Sequence, residues 1–234
     1  MTRIVAASLG TAVWRAGLAD PHLHWKRGRS AWELAVSWEG VRTTERGMPP
    51  EVAAAFDRNE QLADPRLLLG IVEHRVELDT AKTPSQNDLW CMIRTASGLA
   101  SVAVEGKAGE DFDRPLSLWM GRESATKRAR LEFLVETLGA AWPPASDLRY
   151  QLFHRTASAI LEARRWDVPN AVMLVQSFGE STTSWSDYSA FATYLGLHAS
   201  RGEISGPVPV GKTSLFLGWV DSAPANDSAA ARAI

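Results

Sequence analysis

Residues 85–107 constrain the fold of this chain more than any other stretch. They read Ser85-Gln-Asn-Asp88-Leu-Trp-Cys-Met-Ile-Arg-Thr-Ala-Ser97-Gly98-Leu-Ala-Ser-Val-Ala-Val-Glu105-Gly-Lys107. Two apolar, β-branched runs flank a Ser-Gly pair, which is the pattern of a hairpin with a two-residue turn. With Ser97-Gly98 as that turn, Asp88 faces Lys107, Trp90 faces Glu105, Cys91 faces Val104 and Ile93 faces Val102. Alternation puts Asp88, Trp90, Met92, Glu105 and Lys107 on one face, and Leu89, Cys91, Ile93, Val102 and Val104 on the other. A slip by one residue would send Glu105 and Lys107 to the face opposite Asp88.

In this register Asp88 and Glu105 are diagonal neighbours, roughly 7–8 Å apart at the backbone. Both carboxylates then reach one ion, and two carboxylates beside an ammonium can bind a divalent metal and activate a water. Against this stands chance: 27 acidic and 25 basic residues make an acid followed by Glu-x-Lys a common coincidence. Cross-strand Asp–Lys pairs are also ordinary surface stabilisers. These charges, however, sit at the ends of strongly apolar strands, where Thr or Val would be the usual choice.

The pattern resembles the PD-(D/E)XK nuclease superfamily, the restriction-endonuclease-like fold. More narrowly, the chain resembles a family of uncharacterised bacterial proteins, a domain of unknown function assigned to that superfamily. The matching stretches are Asp20-Pro-His-Leu-His-Trp-Lys with Gly28-Arg-Ser-Ala, Glu73-His-Arg-Val, Ser85-Gln-Asn-Asp-Leu and Val104-Glu-Gly-Lys. Arg149-Tyr-Gln-Leu-Phe-His-Arg-Thr-Ala-Ser and Ala171-Val-Met-Leu-Val-Gln-Ser-Phe complete the set. The resemblance implies an α/β fold with a restriction-endonuclease-like core: a helix, a three-stranded antiparallel meander, a helix and a strand, preceded by an N-terminal helical elaboration.

It also implies roles. Asp88, Glu105 and the Gly106 carbonyl would hold Mg²⁺ or Mn²⁺, with Glu73 as an additional metal-directed acid. Lys107 would orient the attacking water, and Gln151 would point into the site. Arg149, His154 and Arg155 would contact the phosphates of a nucleic acid, DNA in the first place. A homodimer is compatible with this reading. The alternative is a nuclease-fold module that has lost catalysis and binds nucleic acid or protein.

Composition neither supports nor forbids this. A formal charge of −2 gives no global positive field, although a groove can still be basic. One cysteine excludes internal disulfides and cysteine zinc sites, and suits a cytoplasmic location. The ten tryptophans are expected in the core. Ile4–Val13 mimics a signal peptide only faintly, and no apolar run is long enough to span a membrane.

The expected organisation is a helical elaboration over 1–65, a core domain over 66–221 and a disordered tail over 222–234. Ser30 is the expected N-cap of a helix to about Val41, and Pro49-Pro50-Glu51 opens another to about Leu62. Arg66–His74 is expected as a short helix, followed by a strand at Arg75–Leu78. Helices follow at Glu123–Leu138, from Asp147 as N-cap to about Arg165, and at 184–196. The unbroken apolar run of Asn170–Phe178 is expected as a strand covered on both faces, with a last strand at 214–220.

Two other constellations carry less. Gly206-Pro-Val-Pro-Val-Gly-Lys212-Thr213 matches the phosphate-loop pattern. Pro207 and Pro209 nevertheless remove two amide donors, and a strand rather than a helix follows, so an irregular loop is expected there. His22 and His24 lack a third metal ligand, so structural roles are expected for them. Clustered carboxylates also suggest that deleting Glu105 would relieve repulsion and raise stability.

Overall fold

The computed structural model describes residues 10–18, 20–78, 83–122, 124–179 and 182–226. The signal-like segment before Gly10 and the tail from Asp227 onward lie outside the described residues. The four N-terminal helices are α1 (Thr11–Gly17), α2 (Pro21–His24), α3 (Ser30–Glu39) and α4 (Pro50–Asp57). Three strands follow: β1 (Arg66–Val76), β2 (Ser85–Thr95) and β3 (Gly98–Lys107). Then come α5 (Leu116–Met120), α6 (Ala125–Leu138), α7 (Tyr150–Trp166), β4 (Asn170–Phe178), α8 (Thr182–Tyr194), β5 (Glu203–Val210) and β6 (Thr213–Ser222).

The strands form one mixed sheet in the order β1-β2-β3-β4-β6-β5. β1, β2 and β3 are an antiparallel meander, β4 is parallel to both β3 and β6, and β5 pairs antiparallel with β6. β4 is buried along its whole length, as a central parallel strand with both faces covered must be. On one face α6, α7 and α8 pack over Trp90, Met92, Ala103, Met173 and Trp219. On the other, α1, α3 and α4 cover Leu89, Cys91, Val102, Val104, Leu174 and Phe216. Trp90 and Trp219 are fully buried, each side chain of this kind contributing about 1.5–3 kcal/mol. Among the described residues no helix is long and apolar enough to cross a membrane.

The division of residues between the two faces of the hairpin is as expected, but its register is not. Thr95 pairs with Gly98, so the turn is Ala96-Ser97, and Cys91 lies opposite Val102 rather than Val104. The physical reason lies outside the hairpin. The Ala96 amide donates to the Ala63 carbonyl (2.8 Å) and the Ser97 amide to that of Gln61 (3.1 Å), fixing which residues turn. Moving the turn by one residue changes each partner by two positions, so every side chain keeps its face.

Arg66–His74 is strand, not helix. Its leucine run has no decisive period of its own, and pairing along β2 from Arg66↔Arg94 to Val76↔Ser85 decides the matter. The element before the meander is therefore α4, which ends at Asp57 rather than near Leu62. Two caps also differ: Arg29 precedes α3 and Arg149 precedes α7, in place of Ser30 and Asp147. Within the expected tail, Ser222 ends β6 and Ala225 is hydrogen-bonded to the fold, its amide donating to Glu33 Oε2 (2.7 Å) and its carbonyl accepting from Arg27 (3.1 Å).

The segment Gly206–Thr213 is not an irregular loop. It is the bulged end of β5 and a tight Gly211-Lys212 turn, with Val210 paired to Thr213. Gly206 is required by crowding: a Cβ there would lie 2.8 Å from the Leu215 carbonyl oxygen. Strand, turn and strand leave no helix N-terminus to receive a phosphate.

Candidate metal centre

The site lies where β3 ends beside the start of β2, at the carboxyl end of the parallel part of the sheet. The last paired residues there are Leu89 and Val104, so the next step places Asp88 and Glu105 side by side. The Gly106 amide donates to Asp88 Oδ2 at 2.9 Å, closing that end of the ladder. Two carboxylates on directly opposed positions repel each other unless cations accompany them. Here two cations do.

Lys107 Nζ donates to Glu105 Oε1 (2.9 Å), and Arg155 Nε donates to Glu105 Oε2 (2.5 Å). Arg155 Nη2 also lies 3.6 Å from Asp88 Oδ1, so one guanidinium bridges the pair. Gln151 comes from the first turn of α7, one helical turn before Arg155. Its Nε2 donates to Glu105 Oε1 (2.7 Å), while its Oε1 accepts from Lys107 Nζ (3.2 Å) and the Asp113 amide (3.1 Å). Lys107 Nζ also lies over the Phe112 ring, 4.7 Å from its centroid. The side chains of Glu105 and Lys107 are 3% and 5% exposed, whereas Asp88 keeps 25%, which makes Asp88 the open side of the cluster.

The environments push the two acids apart. Burial and then the charge of Glu105 raise Asp88 far above the usual Asp range, and Arg155 only partly offsets this. Burial would raise Glu105 too, but Arg155 and Lys107 overcome it and hold that carboxyl below its usual range. Glu73 is also raised, by burial first, while its Oε2 accepts a 2.6 Å bond from Gln86 Nε2. Glu73 sits in β1 with φ 52°, left-handed backbone that is costly for a side chain of this kind.

Gly106 has a packing reason to be glycine. A Cβ at this position would lie 3.4 Å from both Cβ and the carbonyl oxygen of Ser30, where α3 presses on the sheet. The Glu-x-Lys spacing is thus served from both sides: Glu105 and Lys107 face α7, and the residue between them meets α3.

The structure brings Asp88, Glu105, Lys107 and Gln151 together, with Arg155 at their centre. Glu73 is turned toward Gln86, and among the described residues no group of three or more His, Cys, Asp or Glu side chains is gathered to hold a metal. The three residues expected at phosphates have partners within the fold. Arg155 is occupied as described and also donates to the Gln86 carbonyl. Arg149 Nε lies 2.8 Å from Asp187 Oδ2. His154 Nδ1 is bonded to Ser85 Oγ at 2.8 Å, and burial followed by the charge of Arg155 lowers its pKa well below the usual value. The role of Arg155 as ion partner was not read from the sequence. Its signal was the four-residue spacing from Gln151, which aligns both on one stripe of α7.

Comparison with curated proteins and with solved structures returns no match to this chain. The model of one protein family, described as "Domain of unknown function (DUF6946)", matches residues 7–224, and the chain belongs to that family.

Proposed function

We propose that the protein is a metal-dependent phosphodiesterase acting on nucleic acid, DNA in the first place, built on a restriction-endonuclease-like core. The observation that carries this reading is the convergence of Asp88, Glu105, Lys107 and Gln151 from β2, β3 and α7 on one buried cluster. The antiparallel meander β1–β3 followed by α7 and a parallel β4 supports the same reading.

The donor set fits a hard divalent cation such as Mg²⁺ or Mn²⁺, being made of carboxylate oxygens, to which the Gly106 carbonyl would add a third oxygen. Asp88 and Glu105 would hold the ion through their carboxylate oxygens. When bound, such an ion supplies Lewis acidity toward a phosphoryl oxygen and acidifies a water. The remaining work falls to side chains. Lys107 orients the attacking water and steadies charge developing on the phosphate. Gln151 holds the Glu105 carboxylate and the Lys107 ammonium in a fixed relation, so that neither needs reorganisation as charge builds.

One observation favours a second reading, a module of the same fold without catalysis: the guanidinium of Arg155 already bridges the two carboxylates. The discriminating experiment incubates purified protein with Mg²⁺ or Mn²⁺ and plasmid, linear, single-stranded and RNA substrates, alongside Glu105→Ala and Lys107→Ala. Metal-dependent cleavage that falls by orders of magnitude in both variants supports the first reading. Metal binding without cleavage of any substrate moves the assignment to the second.

A further inference from the structure

We infer that Arg155 is a built-in counter-ion occupying the cation position between Asp88 and Glu105, so that a divalent metal enters only at the guanidinium's expense. The inference rests on the reading of Asp88 and Glu105 as metal ligands and deepens it. It names the residue that sets the metal affinity of the site.

The geometry is that of an anchored plug. Arg155 Nε is 2.5 Å from Glu105 Oε2 and Nη2 is 3.6 Å from Asp88 Oδ1, so one planar fork spans both acids. Its Nη1 donates to the Gln86 carbonyl and lies 3.4 Å from Ser85 Oγ, which fastens the far side of the fork to the start of β2. The side chain is 9% exposed. A carboxylate coordinates through its lone pairs, of which it has about four; on Glu105 one is engaged on Oε2 by Arg155 and two on Oε1 by Lys107 and Gln151. Charge leads to the same conclusion. Even with both Asp88 and Glu105 ionised, the two acids already face two cations, Lys107 and Arg155, so an incoming divalent ion would meet no net negative charge among these four groups.

Arg155 also cannot yield as a lysine could. Arginine does not deprotonate in proteins, so its charge leaves the site only if the side chain moves, and moving breaks several bonds together. A lysine at this position would keep one positive charge without the fork that reaches both acids. A glutamine would keep a donor and remove the charge.

The test is calorimetric titration of the whole chain with Mn²⁺ and with Mg²⁺, in the absence of nucleic acid, for wild type, Arg155→Lys and Arg155→Gln. Affinity is expected to rise in that order, with Arg155→Gln at least about tenfold tighter than wild type, a change equivalent to about 1.4 kcal/mol. If wild type binds metal and neither variant binds it more tightly, the inference is overturned while the metal-site reading stands. If none of the three binds metal, both fall. Should Arg155→Gln not fold, Arg155→Lys decides: equal or weaker binding than wild type overturns the inference, and a severalfold gain supports it.

Discussion

Arg155 and Glu105 form the tightest ion pair of the cluster, Nε to Oε2 at 2.5 Å, and both side chains are almost wholly buried. This pair reverses one expectation drawn from the sequence. Two acids brought together suggested that removing Glu105 would relieve repulsion. In the structure Glu105 is the anion that two buried cations share, so its removal strands them.

Glu105→Gln is therefore expected to destabilise the protein. Breaking one partner out of a buried pair costs about 3–5 kcal/mol, which for a chain of this size lowers Tm by roughly 2–4 °C per kcal/mol. Scanning calorimetry at neutral pH measures it, and an unchanged or raised Tm would contradict the structure. The sign with pH follows from the lowered pKa. The stability contributed by Glu105 is present above its usual value of 4.5 and is lost as pH falls toward about 2, so the variant should lack that acid limb.

Asp88→Asn should act in the opposite direction. The Asp88 carboxyl is raised from 3.8 to about 8 by burial and by Glu105, with Arg155 opposing and Glu73 adding to the rise. Between those values the folded chain keeps a proton that the unfolded chain has released, so this group's contribution falls as pH rises through the window. Asp88→Asn should therefore melt above wild type at pH 8, with the difference shrinking toward pH 4. A constant difference across that range would show that Asp88 is not the titrating group.

Gly106→Val tests the packing beneath Glu-x-Lys without touching its charges. A Cβ at this position already meets Ser30 and Leu34 at 3.4–3.5 Å, and the two further methyl groups have no space unless α3 shifts. A loss of about 1–3 kcal/mol is expected from overpacking, read as a lower midpoint in urea unfolding. A neutral substitution would mean that α3 does not press on this strand.

Lys212→Ala should leave thermal stability unchanged and reveal no nucleotide site. Lys212 occupies a tight turn between β5 and β6, with Pro207 and Pro209 before it and a strand after it. Fluorescence titration with ATP checks this; tight binding lost in the variant would show that the phosphate-loop pattern is functional after all.

Several features were legible from local sequence. The face assignment of Asp88, Glu105 and Lys107 depends only on alternation and on the parity of the turn, and an even shift of partners preserves both. The uninterrupted run at Asn170–Phe178 announced a strand buried on both sides because no polar residue interrupts it before Gln176. The turn itself was not legible, because Gln61 and Ala63 choose it from a distant loop. Nor was β1, whose leucines suit helix or strand until β2 lies alongside. Arg155 shows the limit most plainly. The resemblance puts this arginine at a phosphate, and only folding α7 across the end of β2 and β3 sets it against Glu105 and Asp88. What the sequence by itself determined is which residues share a face, since side-chain direction alternates along a strand whatever its neighbours are. What only tertiary structure decided is which opposite charges meet, since that depends on contacts between segments far apart in the chain.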